Sequence, residues 1–193
     1  MCIRDRVKAF IELLKSHHTV IDPTLVTFES MFTQKPGELT PAMAPIDARM
    51  PINVRRGSRR GGVAPAGMEE KYKDAYAKMI ALVGELYKAG VTIVAGTDEP
   101  GGFSLHRELE LYVKAGIPPA DVLAIATVGP ARVMKHADTR GTIAPGKLAD
   151  LLLVDGDPTA HIEDIRKAVW VMKGGNLYRP EDLYAAIGIA RPR

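Results

Sequence analysis

The 193-residue sequence has little cysteine and little histidine, and both shortages limit what the chain can do alone. Its single cysteine, Cys2, cannot form an internal disulfide, so nothing in the sequence requires an oxidising compartment. Five histidines are present, but no two of them form His-x-His or the HExxH pattern of zinc proteases. Spacing alone therefore reveals no set of metal ligands.

Long apolar runs and strong net charge are also absent. No stretch approaches the roughly 18 apolar residues that span a bilayer, and no secretory signal stands at the N-terminus. A net charge of +3 is too weak to indicate a nucleic-acid partner. We therefore expect neither a membrane nor a nucleic-acid partner. The compartment stays open, with the cytoplasm slightly favoured.

The apolar pattern that is present predicts an α/β fold. Helical spacing predicts helices over residues 7–16 and 69–89, and Ser104 and Pro118-Pro119 have the character of helix starts. The segment Val91–Ala95 is apolar at every position but one, which is typical of a parallel strand covered on both faces. A proline-rich irregular segment at 32–67 separates these elements and is long enough to carry short helices.

The end of the chain changes character and predicts a small β unit. "GTIAPGKLADLLLVDGDP" predicts a strand, a turn at Pro145-Gly146 and a second strand, and "AVWVMKGGNLY" predicts a hairpin. Asp150 is expected to pin the second strand. The head "MCIRDR" resembles a translated adapter. We therefore divide the chain into a non-native head (1–6), an α/β part (7–138), β strands (139–180) and a tail (181–193).

Asp98 is the first candidate functional residue, in the stretch "VTIVAGTDEPGG". Ligands of α/β proteins bind beyond the carboxyl ends of parallel strands, and Asp98 follows such a strand. A partly desolvated carboxylate needs a metal ion, an arginine or backbone N–H groups as its partner. From the residues alone, the alternative is an aspartate that caps the next turn.

Residues 91–178 closely resemble the C-terminal half of metal-dependent amidohydrolases. The pieces that carry the likeness are "GTD" at a strand end, "LHRELEL", "PAR" and "GTIAPGKLADLLLVDGDP". The nearest branch is imidazolonepropionase-like and includes Xaa-Pro dipeptidases. The resemblance implies the last part of a TIM-like (β/α)8 barrel plus part of a small β-sandwich. Thr19–Leu25 would be the seventh barrel strand and Val91–Ala95 the eighth.

The resemblance also implies a role for Asp98 in hydrolysis of an amide, cyclic amide or dipeptide C–N bond. Asp98 would contact the metal, one or two zinc ions in the whole enzyme, and act as the general base. The histidine and lysine ligands of the earlier barrel strands have no counterpart here. We therefore expect a C-terminal fragment that is inactive alone and needs the missing N-terminal barrel portion. A homo-oligomer stays open.

Weaker candidates accompany Asp98. His106 lies in the first turn of the next helix and is expected either to contact substrate or to be an ordinary surface histidine. A cluster of four arginines could line a lid or a solvated loop: Arg55, Arg56, Arg59 and Arg60. The remaining histidines are expected on the surface. The rival to the enzyme interpretation is a non-enzymatic truncated domain or interaction module with open sheet edges.

Overall fold

The structure, a computed structural model, describes residues 3–99 and 102–191. It is a mixed α/β fold, which confirms the predicted class in its general form. Its helices are α1 (Ile3–Ser16), α2 (Leu25–Thr33), α3 (Ile52–Gly57), α4 (Glu69–Lys88), α5 (Ser104–Lys114), α6 (Pro119–Ala126), α7 (Val128–Val133) and α8 (Pro180–Ala186). Its strands are β1 (Val20–Ile21), β2 (Thr92–Ile93), β3 (Leu151–Val154), β4 (Ala168–Lys173) and β5 (Asn176–Tyr178). Short 3-10 helices cover Asp47–Arg49 and Ile162–Arg166.

Two separate sheets organise these elements. β1 and β2 pair in parallel, with Val20 opposite Thr92 and Ile21 opposite Ile93. β3, β4 and β5 form an antiparallel sheet in that order. Because β1 and β2 run in the same direction, the residues that follow them emerge at one edge.

The main core lies between the helices and the parallel strands. α4 buries one face through Tyr76, Ile80, Val83 and Leu86, which confirms the helix predicted over residues 69–89. The completely buried side chains include Leu111, Tyr112 and Val122 of α5 and α6. None of the helices formed by the described residues is long and apolar enough to cross a bilayer.

The strand that the family resemblance implies over Thr19–Leu25 is wrong in its second half, because β1 ends at Ile21 and Leu25 is the first residue of α2. Pro23 lacks an N–H for strand pairing, and Thr24 adopts a left-handed conformation with φ 46°. These two residues turn the chain from strand to helix within three positions.

The strand predicted over Val91–Ala95 is shorter than expected, and its burial alternates. Thr92 is exposed, whereas Val91 and Ile93 are buried. The prediction that this strand is covered on both faces is therefore wrong for the described residues, because one face lacks a covering layer. Alternation of this kind is typical of a strand with one open face.

The β unit at the end of the chain is also partly as predicted. The hairpin is confirmed, with its turn at Gly174 and Gly175, which both have positive φ. The strand predicted before Pro145 is wrong: that segment is irregular, and Ile143 is 88% exposed. β3 pairs instead with β4. Asp150 pins this pair as expected, since it accepts hydrogen bonds from Lys173 Nζ (2.5 Å) and the Gly174 N–H (2.8 Å).

Candidate functional site

Asp98 lies on the loop after β2, at the edge where the parallel strands end. Its backbone has φ 48°, the left-handed region that non-glycine residues rarely occupy. Its side chain is exposed to solvent. Strained backbones of this kind also occur at functional sites, which makes Asp98 a candidate.

The loop around Asp98 is bonded on both sides to α2. The Thr27 hydroxyl donates a hydrogen bond to the Thr97 carbonyl at 2.5 Å, across 70 residues of sequence. The Ser30 hydroxyl lies 3.3 Å from a carboxylate oxygen of Glu99. The residues before and after Asp98 are therefore both attached to the same helix.

Asp22, the residue directly after β1, lies against the same loop. Its carboxylate packs on Gly96 so closely that a Cβ at position 96 would lie 2.0 Å from Oδ2. Partial desolvation raises the pKa of Asp22, and the negative charge of Asp98 raises it further. Hydrogen bonds from the backbone of Gly96 and Thr24 act in the opposite direction. Asp22 and Asp98 thus form a pair of carboxylates at the ends of adjacent strands.

Glu108 of α5 fixes the start of α2, the helix to which the Asp98 loop is bonded. It is completely buried, and its two carboxylate oxygens accept hydrogen bonds from the N–H groups of Leu25 (2.9 Å) and Val26 (2.7 Å). These are the first N–H groups of α2, which otherwise have no acceptor inside the helix. Burial raises the pKa of Glu108 to about 7, despite these hydrogen bonds. A carboxylate on α5 therefore caps the N-terminus of α2.

A chain of ion pairs joins the same helices on another side. Arg107 makes a two-pronged pair with Glu29, at 2.7 and 2.8 Å, and a further hydrogen bond to Glu110 at 3.0 Å. Glu110 also accepts a hydrogen bond from Arg166 at 2.6 Å. Because these groups are largely buried, the network fixes the position of α5 against α2.

His106 is half-buried on α5, and its charged neighbours are Arg166 and Glu110. Burial lowers the pKa of His106, and the guanidinium of Arg166 lowers it further, so the imidazole is neutral near pH 7. The helix of His106 begins at Ser104, as predicted, but the Ser104 side chain does not cap it. Its hydroxyl is buried and has no hydrogen-bond partner among the described residues.

The other histidines are exposed, as expected: His17, His18, His136 and His161. Within residues 3–99 and 102–191, no three histidine, cysteine, aspartate or glutamate side chains come together in a way that could hold a metal ion. Asp98 can supply one carboxylate oxygen to a metal. The described donor set does not fit a complete metal site.

Two arginines of the basic cluster are engaged within the long loop. Arg59 makes a two-pronged pair with Asp47, at 2.6 and 2.7 Å, and Arg55 lies 3.3 Å from the same carboxylate. Arg56 and Arg60 are exposed. Half of the cluster therefore folds the loop onto itself and is not free to meet a ligand.

Comparison with known proteins identifies the family of this chain. A profile of the amidohydrolase family matches residues 12–177. The chain belongs to the amidohydrolase family. The ochratoxinase of Aspergillus niger is 34% identical over 122 residues, which are 55% of this chain and 25% of that protein. The "Probable imidazolonepropionase" of Nematostella vectensis is 32% identical over 78 residues, 38% of this chain and 18% of that protein.

Solved amidohydrolase structures share the fold. A Xaa-Pro dipeptidase with bound methionine superposes with a TM-score of 0.62 at 23% identity, over 88% of this chain and 36% of that chain. The predicted resemblance to the imidazolonepropionase-like and Xaa-Pro dipeptidase branch is thus confirmed. This chain spans about a quarter of the length of the ochratoxinase and about a third of the dipeptidase.

Sequence reasoning missed Asp22, Thr27 and Glu108 as parts of this candidate site. Nothing local indicates the role of Glu108, because its partners are 82 and 83 residues away. One local signal was available: Asp-Pro-Thr directly before an apolar segment is typical of a turn that starts a helix. Nothing in the sequence around Thr27 indicates that its hydroxyl donates to the Thr97 carbonyl.

Proposed function

We propose that this chain is the C-terminal part of a longer, metal-dependent amidohydrolase that cleaves an amide, cyclic amide or dipeptide C–N bond. The observation that carries the proposal is Asp98, an exposed carboxylate on a left-handed backbone where two parallel strands end. Its neighbours in the loop are hydrogen-bonded to α2. The names of the relatives, an ochratoxinase and a Xaa-Pro dipeptidase, support a substrate of this class.

In this proposal the general base is Asp98. Its carboxylate accepts a proton from the attacking water and returns that proton to the leaving nitrogen. The amidohydrolase family is generally metal-dependent, and a zinc ion, when bound, lowers the pKa of a water and polarises the carbonyl. Asp98 would be one metal ligand, and the remaining ligands would come from outside the described residues, because no cluster of three donors is found among them.

The fragment interpretation rests on surfaces that lack a covering layer. β3 contains three successive leucines whose side chains alternate between the two faces of the sheet. All three are exposed: Leu151 by 37%, Leu152 by 46% and Leu153 by 57%. Phe10 and Leu13 of α1 are exposed as well. We propose that residues 7–138 complete a barrel and residues 139–180 complete a β-sandwich with the missing portion.

The same exposed surfaces favour a second candidate, a non-enzymatic module that binds a protein partner through its open sheet. The two candidates differ in what lies upstream in the gene. A reading frame that continues upstream and encodes His-x-His supports the enzyme, whereas a native stop codon followed by a start near Val7 supports the module.

The decisive experiment measures hydrolysis of dipeptides and N-acyl amino acids by the protein translated from the complete reading frame, here called the complete protein. Asp98→Asn should lower kcat by about 10²–10⁴-fold, the range expected for a lost general base. Asp155→Asn is the matched control, since Asp155 is an exposed aspartate beside β3. Retention of full activity by Asp98→Asn would show that Asp98 is not the base.

His106 is proposed as a weaker contributor that contacts substrate. The proposal is supported by its half-buried, neutral imidazole near the start of α5. His106→Ala in the complete protein should raise KM more than it lowers kcat, because a binding contact acts equally on the ground state and the transition state. An unchanged KM would assign His106 to structure alone.

A further inference from the structure

The hydroxyl of Thr27 has its hydrogen-bond partner outside its own helix. A threonine inside a helix commonly donates to the carbonyl four residues earlier, but for Thr27 that residue is Pro23, which precedes α2. Thr33, on the same helix, does so, with its hydroxyl 2.7 Å from the Glu29 carbonyl. Thr27 instead donates across the site to the Thr97 carbonyl at 2.5 Å. The two threonines differ in what they hold, although they share a helix.

The orientation of the Thr97 carbonyl determines the orientation of the peptide group that precedes Asp98. The peptide group that joins Thr97 to Asp98 is planar, so fixing its oxygen also fixes its N–H and the Cα of Asp98. Asp98 has φ 48°, a conformation that an aspartate adopts at a cost. The Thr27 hydrogen bond restrains the peptide before Asp98, and the Ser30–Glu99 hydrogen bond restrains the residue after it, so the two together limit rotation at Asp98.

The donor is itself held in place. Thr27 lies in the first turn of α2, and Glu108 binds the N–H groups of the two residues directly before it. Arg107 holds Glu29, two residues further along the same helix. The Thr27 hydroxyl therefore reaches the loop from a fixed point, and the Asp22 carboxylate contacts Gly96 of the same loop.

We propose that Thr27 is a positioning residue, whose hydroxyl holds the Thr97–Asp98 peptide so that the Asp98 carboxylate keeps the orientation needed for catalysis. This proposal rests on the proposed function of Asp98. It assigns no contact between Thr27 and the substrate. A displacement of about 1 Å at a catalytic group can cost on the order of 10²-fold in rate, so one hydrogen bond is sufficient to matter.

The test compares three variants of the complete protein: Thr27→Val, Thr27→Ser and Thr33→Val. Thr27→Val removes the hydroxyl at nearly constant volume, and we expect kcat to fall about tenfold or more while KM and metal content stay unchanged. Thr27→Ser keeps the donor and should restore kcat to within about threefold of wild type. Thr33→Val is the control and should leave kcat near wild type, because its hydroxyl bonds within α2.

A second measurement is independent of activity. Amide hydrogen exchange in the segment 94–99 should be faster in Thr27→Val than in wild type, and unchanged in Thr33→Val. Equal exchange and equal kcat in the two valine variants would overturn the proposal, as would a change in KM alone. If Asp98→Asn is fully active, the proposed function fails, while the exchange data still decide whether Thr27 holds the loop.

Discussion

The α/β unit and the three-stranded sheet of this chain are built in opposite ways. In the α/β unit, residues far apart in sequence complete one another: Glu108 caps α2 across 83 residues, and Thr27 binds Thr97 across 70. In the sheet, β3 pairs with β4 and β4 with β5, but three successive leucines of β3 stay exposed. The first region has its own core, whereas the second has strands without a covering layer.

This difference indicates which part of the proposed enzyme the chain can form by itself. Long-range contacts around α2, α4 and α5 fix the loop of Asp98 with residues that are all in this chain. In our proposal, residues outside this chain cover the exposed sheet. Residues of the missing barrel portion likewise supply the remaining metal ligands. The contrast can be sharpened by substitutions placed in each region.

The largest expected effect is the difference in lost stability between a leucine of the core and a leucine of the open sheet. Leu111 is completely buried, so Leu111→Ala in the complete protein should lower the free energy of unfolding by about 2–5 kcal/mol. Leu153 is 57% exposed within this chain, and Leu153→Ala in the isolated chain should change that free energy by less than about 0.5 kcal/mol. Chemical denaturation measures both.

The contrast between regions predicts a further result for Leu153. If the missing portion covers the sheet, Leu153→Ala should cost about 1–3 kcal/mol more in the complete protein than in the isolated chain. An equally small effect in both would mean that the sheet stays open in the complete protein, which would favour the interaction-module candidate.

The next effect concerns the buried cap of α2. Glu108→Ala leaves the N–H groups of Leu25 and Val26 without an acceptor, and should destabilise the complete protein by about 1–3 kcal/mol. Glu163→Ala, at an exposed glutamate, is the control and should have little effect. Thermal denaturation of the two variants checks the difference, and equal midpoints would contradict the capping role.

Glu108 also predicts a pH dependence of stability. Burial raises its pKa from the ordinary value of 4.5 to about 7 in the folded protein, so between these pH values the folded state binds more protons than the unfolded state. Its contribution to the free energy of unfolding therefore falls as pH rises from about 4.5 to 7, and is constant above. Glu108→Gln should remove this contribution. Chemical denaturation at several pH values between 5 and 8 tests this, and parallel pH profiles for wild type and variant would refute it.

A smaller effect is expected where Asp22 meets Gly96. Gly96→Ala would place a Cβ 2.0 Å from the Asp22 carboxylate, so the loop must move, and kcat of the complete protein should fall about tenfold or more. The second substitution Asp22→Ala removes the clash and should restore part of the loss. If the double variant is no better than Gly96→Ala alone, Asp22 does not hold the loop.

The smallest expected effect is a gain in solubility when exposed leucines of the open sheet are replaced. Leu152→Ser and Leu177→Ser replace exposed apolar side chains, so they should reduce self-association of the isolated chain with little change in its circular dichroism. Light scattering across a concentration series measures the change. An isolated wild-type chain that stays monodisperse across the whole concentration series would contradict the fragment proposal.

Sequence patterns predicted the features of this chain that depend on local order. The apolar repeat of α4 and the glycine turn between β4 and β5 were both correct, because helix faces and tight turns are determined by nearby residues. The strand expected before Pro145 was wrong, because a strand requires a pairing partner that local sequence does not reveal. The strand that the family resemblance implied over Thr19–Leu25 was too long, because the chain turns at Pro23 and Thr24 into α2.

The candidate site divides in the same way. Asp98 was predicted because it directly follows a recognisable strand. Thr27 and Glu108 were not, because their roles depend on groups 70 or more residues away that only the folded chain brings within hydrogen-bonding distance. The described residues contain no group of three side chains that could hold a metal ion, so the remaining metal ligands stay a prediction about residues outside them.

The most direct test of the central claim is the metal content of the isolated 193-residue chain and of the complete protein after exhaustive dialysis, measured by elemental mass spectrometry. We predict one or two zinc ions per complete protein and no stoichiometric metal in the isolated chain, because Asp98 alone cannot retain an ion. Tight, stoichiometric zinc in the isolated chain would contradict the claim that its site is completed by residues from a missing portion.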